Sequence, residues 1–341
     1  MRIALPVILA AACLYLAALA GCGALKEKTY TPTEAEAKFV EFCRKEGQVE
    51  VTARQVGRTE RIFLAMDEPI FNLKAGESSE KPTRQPMPFS LLSLDGEYFA
   101  TEFRIDYDIV PDVLPPEAVT YGSSYNEHYT KKRQLVYQAI QEAFFNLAKD
   151  EETKATAPVF FVVVVSDVSK GIATKSTFYL PDLKAFMTEA IPFEEYYLRE
   201  NTEIFGDEKL IGDRTGRQLA LEEVAWPDFL TAQIKNRIRF KFSHSDFPPK
   251  ADPDREVLEA VTNTLRFYPF TDFTAVYLHN RREKREMTFT KDQLKIFEET
   301  PDWEKKKGRI TVIRFPFTNS VPGSATGDEK PTDTNQPETA Q

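Results

Sequence analysis

The segment Pro158-Val159-Phe160-Phe161-Val162-Val163-Val164-Val165 constrains this chain more than any other. Successive side chains of a strand point to opposite faces, so a strand of this composition is apolar on both and belongs in the middle of a covered sheet. Part of that cover lies just upstream. From about Tyr125 to Lys149, residues Val136, Ala139, Ile140, Ala143, Phe144 and Leu147 recur at helical spacing, behind a capping box of Ser124 and Glu127.

Other elements follow from punctuation and period. Thr31 as N-cap, Pro32 at the first helical position, Glu34 completing a capping box and Gly47 as a stop predict a helix whose inner face holds Ala35, Phe39, Phe42 and Cys43. Strands are predicted over Val49–Val56, Arg61–Met66, Glu97–Val110, Thr262–Phe270, Phe273–His279 and Ile310–Phe317. A short helix follows Thr290, capped by Gln293. Because strand signals come in clusters without a helix between each pair, the expected class is α+β, with a mixed or mostly antiparallel sheet and a few covering helices. Glu68–Pro88 reads as an exposed loop. Pro111, Pro115 and Pro116 mark a candidate subdomain boundary near 111–122. After Asn319 large apolar residues nearly vanish, so the body is expected over 31–317 and a disordered tail over 318–341.

At the N-terminus Arg2 precedes an apolar run, Ile3–Leu19, broken only by Pro6, which is the grammar of a secretory signal. The run ends at Leu19-Ala20-Gly21-Cys22. This tetrapeptide resembles the lipobox of bacterial lipoproteins, in which small residues precede a cysteine that is acylated before cleavage. The resemblance implies that residues 1–21 are a signal peptide, that Cys22 carries diacylglycerol and further acyl chains such as palmitate, and that residues 22–30 are a tether to the membrane. At about 0.8 kcal/mol per buried methylene, stable anchoring needs more than one chain. The alternative is an uncleaved transmembrane helix, since Ile3–Leu25 is long enough to span a bilayer. Gly23, where two-membrane bacteria place an aspartate for inner-membrane retention, implies the outer membrane in such a host and otherwise the outer face of the cytoplasmic membrane. The spacing of Phe39, Cys43, Gly47, Val51 and Val56 also resembles a group of uncharacterised bacterial lipoproteins, which carries no function with it.

The chain is acidic, with a formal charge of −9 that becomes −10 once Arg2 leaves with the signal. Phosphate attraction needs clustered Lys and Arg, so nucleic acid is not an expected partner. Of three cysteines, Cys13 leaves with the signal and Cys22 carries lipid, so Cys43 has no partner for a disulfide and reads as a small buried hydrophobe.

Catalytic and metal motifs find little support. His128, His244 and His279 stand at no zinc spacing. His244-Ser245-Asp246 runs into Phe247-Pro248-Pro249 and reads as a loop, and there is no Gly-x-Ser-x-Gly elbow. Asp167, followed by Ser169, Lys170 and Gly171, fits a turn better than an active-site crevice. Asp182, Glu194, Glu195 and Asp213 show no spacing that pairs two carboxylates on one face, and Asp213-Arg214-Thr215-Gly216 reads as a turn. No catalytic residue, metal ligand or cofactor is therefore assigned. One pattern stands out. From Ile234 to Phe242 the chain alternates, so a strand would put Ile234, Ile238, Phe240 and Phe242 on one side and Lys235, Arg237, Arg239 and Lys241 on the other, a stripe of about 20 Å at 3.3 Å per residue. It is a candidate docking face for an anionic envelope lipid, polymer or protein; the plainer reading is cross-strand pairing with acidic neighbours. Arg281, Arg282, Lys284 and Arg285 read as a charged hairpin end. The expectation is a membrane-anchored envelope lipoprotein with a binding or structural role, against an envelope-directed enzyme using dispersed carboxylates.

Overall fold

The computed structural model describes residues 29–73, 89–111, 123–243 and 251–297. Leu19, Ala20, Gly21 and Cys22, residues 74–88 of the long loop, the segment 112–122, the sequence His244-Ser245-Asp246, the expected strand at 310–317 and the tail lie outside the described residues. The chain runs from helix α1 (Pro32–Gly47) through the hairpin β1 (Val51–Val56) and β2 (Thr59–Met66) and the short β3 (Phe71–Leu73) to a second hairpin, β4 (Phe89–Phe99) and β5 (Glu102–Pro111). Then come β6 (Ser123–Tyr125), α2 (Glu127–Phe144), α3 (Glu151–Thr156), β7 (Phe160–Asp167), β8 (Ile172–Tyr179), α4 (Leu180–Met187), α5 (Phe193–Arg199) and β9 (Asn201–Gly206). Two long helices, α6 (Trp226–Phe242) and α7 (Pro253–Leu265), precede β10 (Ala275–Asn280), β11 (Arg285–Thr290) and α8 (Lys291–Leu294). The class is α+β, in two mixed sheets whose strand pairs are mostly antiparallel.

Both sheets follow one plan. In the first, ordered β1-β2-β7-β8-β9, β7 runs parallel to β2 and antiparallel to β8. In the second, ordered β11-β10-β5-β4, β10 runs parallel to β5 and antiparallel to β11. Each is a hairpin, a crossover containing helix, a strand parallel to the hairpin's second strand, and a strand turning back. A parallel pair needs a long connection, and here each connection carries strands of the other sheet, because β4 and β5 lie between β2 and β7 while β7 to β9 lie between β5 and β10. Neither sheet is therefore a contiguous piece of chain.

The all-apolar strand sits where its composition requires. Every residue of β7 is buried, between β2 and β8. On one face Phe161 packs edge-on against Phe144 of α2 with centroids 4.9 Å apart, and Phe144 in turn meets Phe39 of α1. Thr31 and Glu34 form the expected capping box at α1, and Ala35, Phe39 and Cys43 are its buried residues. Burial pushes the Cys43 thiol up to about 12, so it stays protonated and packs rather than reacts. The other face of β7 is covered by irregular chain between β9 and α6, with Phe63, Val162, Val164, Ala173 and Leu210 forming a small core. In the second sheet, α6 and α7 pack on Phe103, Ile105, Val276 and Leu278, and Phe160 reaches that core through Trp226. Among the described residues no helix is long and apolar enough to cross a membrane.

Several expected elements change. Glu97–Val110 is not one strand: it folds back at Ala100 and Thr101, whose φ values of 48° and 64° make a tight turn without the glycine or asparagine that usually announces one. Ser124 is paired with Asn72 in the small β3–β6 sheet, so Asn126 caps α2 instead, accepting from the His128 amide at 2.8 Å. The expected strand at 262–270 is instead the last turn of α7, ending at Leu265, and then a turn and irregular chain; α7 is started by Asp252 as N-cap and Pro253, and Val257, Leu258, Val261 and Leu265 lie on its buried side. The hairpin end at 281–285 is as expected.

Candidate functional site

The four cations Lys235, Arg237, Arg239 and Lys241 lie on a helix, α6, and not on a strand. Ile234, Ile238 and Phe242 are four apart, a spacing that serves both a strand face and a helix face, and all three are buried. Phe240, which fits only the strand, is exposed. At about 100° per residue the cations split into two pairs, Lys235 with Arg239 and Arg237 with Lys241. Arg237 grips Glu195 of α5, with Nη2 2.8 Å from Oε1 and Nη1 3.3 Å from Oε2. Lys241 pairs with Glu256 and, at 3.3 Å, with Glu259 of α7. Arg239 is exposed and the Lys235 stem lies over Gly96 of β4. The stripe is thus not one surface. Reversing Arg237 and Lys241 to Glu should cost about 3–5 kcal/mol, because buried Glu195 loses a counter-charge; reversing Lys235 and Arg239 should change stability by less than about 0.5 kcal/mol. Urea unfolding of the two double variants checks this, and equal losses would show that α6 is oriented otherwise.

Helix α5 joins two buried polar clusters. On one side Glu195 and Arg199, four apart, meet Asp182 of α4 and Arg237 of α6: Arg199 Nε is 2.7 Å from Glu195 Oε1 and Arg199 Nη1 is 2.7 Å from Asp182 Oδ1. The Arg199 guanidinium also lies 4.0 Å over the Phe267 ring. Burial works to raise the Glu195 carboxyl, but Arg237 and Arg199 hold it below its ordinary value, whereas at Asp182 burial outweighs Arg199 and the carboxyl is raised. On the other side of the helix, Tyr196 and Glu200 face α2. Glu200 pairs with Arg133 and accepts from the Tyr137 hydroxyl at 2.8 Å. Burial alone would lower Arg133, but Tyr137 and Glu200 keep it charged.

The remaining acids are structural in the same way. Asp167 Oδ1 accepts from the Ser169 amide at 3.0 Å, the turn expected from the sequence, and Asp213 Oδ1 accepts from the Thr215 amide at 2.9 Å. Asp254 Oδ1 accepts from Tyr107 and Asn280, each at 2.7 Å, while Oδ2 is 2.9 Å from Arg285. His279 faces Asp106 at 3.2 Å on the charged outer side of the second sheet, where Arg281 and Arg282 fold back on Asp95, Asp106 and Asp108. No group of three or more His, Cys, Asp or Glu among the described residues is arranged to hold a metal ion.

Cations do converge elsewhere. In the β1–β2 hairpin Arg54 stands directly opposite Arg61, with Thr52 opposite Phe63 beside them. All four line a shallow, partly open groove with about 20 Å³ of room, together with Thr215, Gly216, Leu219 and Leu221, above the buried Val162 and Val164. Arg61 is half-buried and donates to the Glu222 carbonyl at 2.9 Å; burial lowers its pKa and the Glu222 charge opposes that in part. Arg54 is exposed at the mouth. Sequence reading did not reach this pair, because seven positions apart on a hairpin they meet only through the register. The turn residues Val56, Gly57, Arg58 and Thr59 were the available signal.

Compared with known proteins, the chain matches no family model, no curated protein and no solved structure. Its class is given by its own coordinates: an α+β protein of two interleaved sheets, with buried charge on α5 and an arginine-lipped groove on the first sheet.

Proposed function

We propose that this chain is an exported lipoprotein, held to a membrane by acyl chains on Cys22, whose body binds an anionic component of the cell envelope and does not catalyse a reaction. The anchor rests on Leu19-Ala20-Gly21-Cys22 at the end of the apolar run Ile3–Leu19. Gly23 favours the outer membrane where the host has one, and otherwise the outer face of the cytoplasmic membrane. Binding rests on one observation, the opposed pair Arg54 and Arg61 in an open groove of an acidic protein. An envelope hydrolase would need acids that converge in an open cleft. The pair that does converge, Asp182 and Glu195, is 7 % and 6 % exposed and bridged by Arg199, which fits a structural role better.

Changing Cys22 to Ala should abolish incorporation of labelled palmitate and move the protein from the membrane fraction to the soluble one; continued labelling or retention would remove the anchor. For the binding face, a photo-reactive residue at Arg54 should capture an envelope component in intact cells that one at exposed Thr288 does not. The same capture at both positions would leave the groove without a special role.

A further inference from the structure

The far edge of the first sheet is open. Strand β9 pairs with β8 on one side only, and among the described residues no backbone hydrogen bond reaches Thr202, Glu203, Ile204 or Phe205 from the other. Thr202, Glu203, Ile204 and Gly206 are exposed. An antiparallel strand turns the N–H and C=O of every second residue away from its partner, so this edge offers a row of unused donors and acceptors. Folded proteins ordinarily blunt such a row. Of the other edges of the two large sheets, β1 carries Arg54, β4 is bulged between Leu91 and Ser93, and β11 carries Arg285. Strand β9 has no bulge and no basic residue, and its one charge, Glu203, is paired with Lys175 of β8 at 2.9 Å.

Beside that edge lies an apolar ledge. Ile204 stands opposite Thr174 of β8, whose hydroxyl is 3.1 Å from the Tyr129 hydroxyl of α2, and Tyr125 stacks on Tyr129 with centroids 4.9 Å apart. The helix cover therefore stops at β8, and Ile204, on the α2 side of β9, is left 57 % exposed. Tyr125 is 43 % exposed and Tyr197 of α5 61 %. Burial is the main cause of a raised Tyr125 pKa, and Tyr197 and Glu200 add to it, which puts both near its hydroxyl. Tyr197 runs on to the exposed Phe193, with centroids 6.3 Å apart. Scattered apolar residues are ordinary on a surface, but a contiguous aromatic group beside an unused strand edge marks an interaction site. Only a polypeptide backbone repeats donors and acceptors at the spacing of that edge, and its alternate side chains would fall on the ledge. Just beyond the strand, exposed Asp207 and Glu208 outnumber Lys209, which favours a basic residue there on the incoming chain.

We propose that β9 is a docking edge for an extended segment of a partner protein, which adds as a further strand with an apolar or aromatic side chain on Ile204, Tyr125 and Tyr197 and a basic one toward Asp207 and Glu208. This surface lies across the sheet from Arg54 and Arg61, with β7 and β8 between, so it stands independently of the anionic-binding reading.

The test screens a displayed library of random octapeptides against the full mature chain carrying Cys22→Ser and takes the enriched sequences forward as synthetic peptides. Apolar residues are expected at alternate positions, with lysine or arginine toward one end. Two analogues of each peptide are N-methylated on alternate backbone nitrogens, one in each phase. Only one phase faces β9, so that analogue should bind at least about 10-fold more weakly, as loss of one or two hydrogen bonds implies, while the other binds nearly as the parent does. Bound peptide should slow amide hydrogen exchange in 201–206 and not in β1, β4 or β11. Ile204→Lys and Tyr197→Ala, both at exposed positions, should each weaken binding at least about 5-fold, with circular dichroism confirming the fold. No enriched sequence, equal loss in both methylation phases, slowed exchange at another edge, or unchanged binding by both variants would overturn the proposal. A dimer in sedimentation that Ile204→Lys dissociates would overturn it in favour of a second copy of this chain at the same edge.

Discussion

Replacing Glu60 with glutamine is expected to leave stability almost unchanged near pH 4.5 and to raise it by about 3 kcal/mol at pH 7 and about 5 kcal/mol well above pH 8. Glu60 lies in β2 between Gln55 and Phe161, fully buried, and both of its carboxyl oxygens lack a hydrogen-bond partner. Burial, with a smaller push from Glu36 on α1, raises its pKa to about 8. The unfolded chain releases this proton near the ordinary carboxylate value while the folded chain keeps it. Stability therefore falls as pH rises from about 4.5 to about 8, at roughly 1.4 kcal/mol per pH unit, and the deficit is constant above that. Glutamine resembles the protonated acid in shape and cannot ionise, so it removes this dependence. Urea unfolding of both proteins at pH 5, 7 and 9 measures the difference. Parallel pH profiles would mean that Glu60 is ionised in the folded protein and has a partner.

The second large effect is at Arg199. Arg199→Met should destabilise the protein by about 3–5 kcal/mol, because Asp182 loses its counter-charge and Glu195 keeps only Arg237. A buried ion cluster is costly to break and less costly to replace as a whole. Asp182→Leu, Glu195→Leu and Arg199→Met together should therefore recover much of the loss. The single-variant deficit should also shrink at low pH, since burial already raises Asp182 and protonation removes the uncompensated charge. If the triple variant is no more stable than the single one, the cluster contributes packing or specificity rather than charge balance.

Legibility followed the range over which each feature is encoded. The central place of β7 was readable because eight consecutive residues carry the message without reference to any neighbour. Helix α1 and the turn at Thr290 were readable because a capping box is closed by residues three apart. Helix α6 was misread because Ala225 supplies no capping side chain and the buried residues fall at a period common to both structures. The α4–α5–β9 region went unseen because its elements are short and their buried residues are charged.

By itself the sequence determined the signal-like N-terminus, the acidic balance, the covered central strand and the α+β class, all set by composition or by contacts a few residues apart. Only the tertiary structure decided that β7 pairs with β2 although β4 and β5 lie between them along the chain, that Asp182, Glu195, Arg199 and Arg237 close on one another from three helices, and that Arg54 faces Arg61 across the first hairpin. Those juxtapositions depend on register and packing between separate elements, and a one-residue slip of β1 on β2 would turn Arg54 to the other face. No local pattern along the chain contains that information.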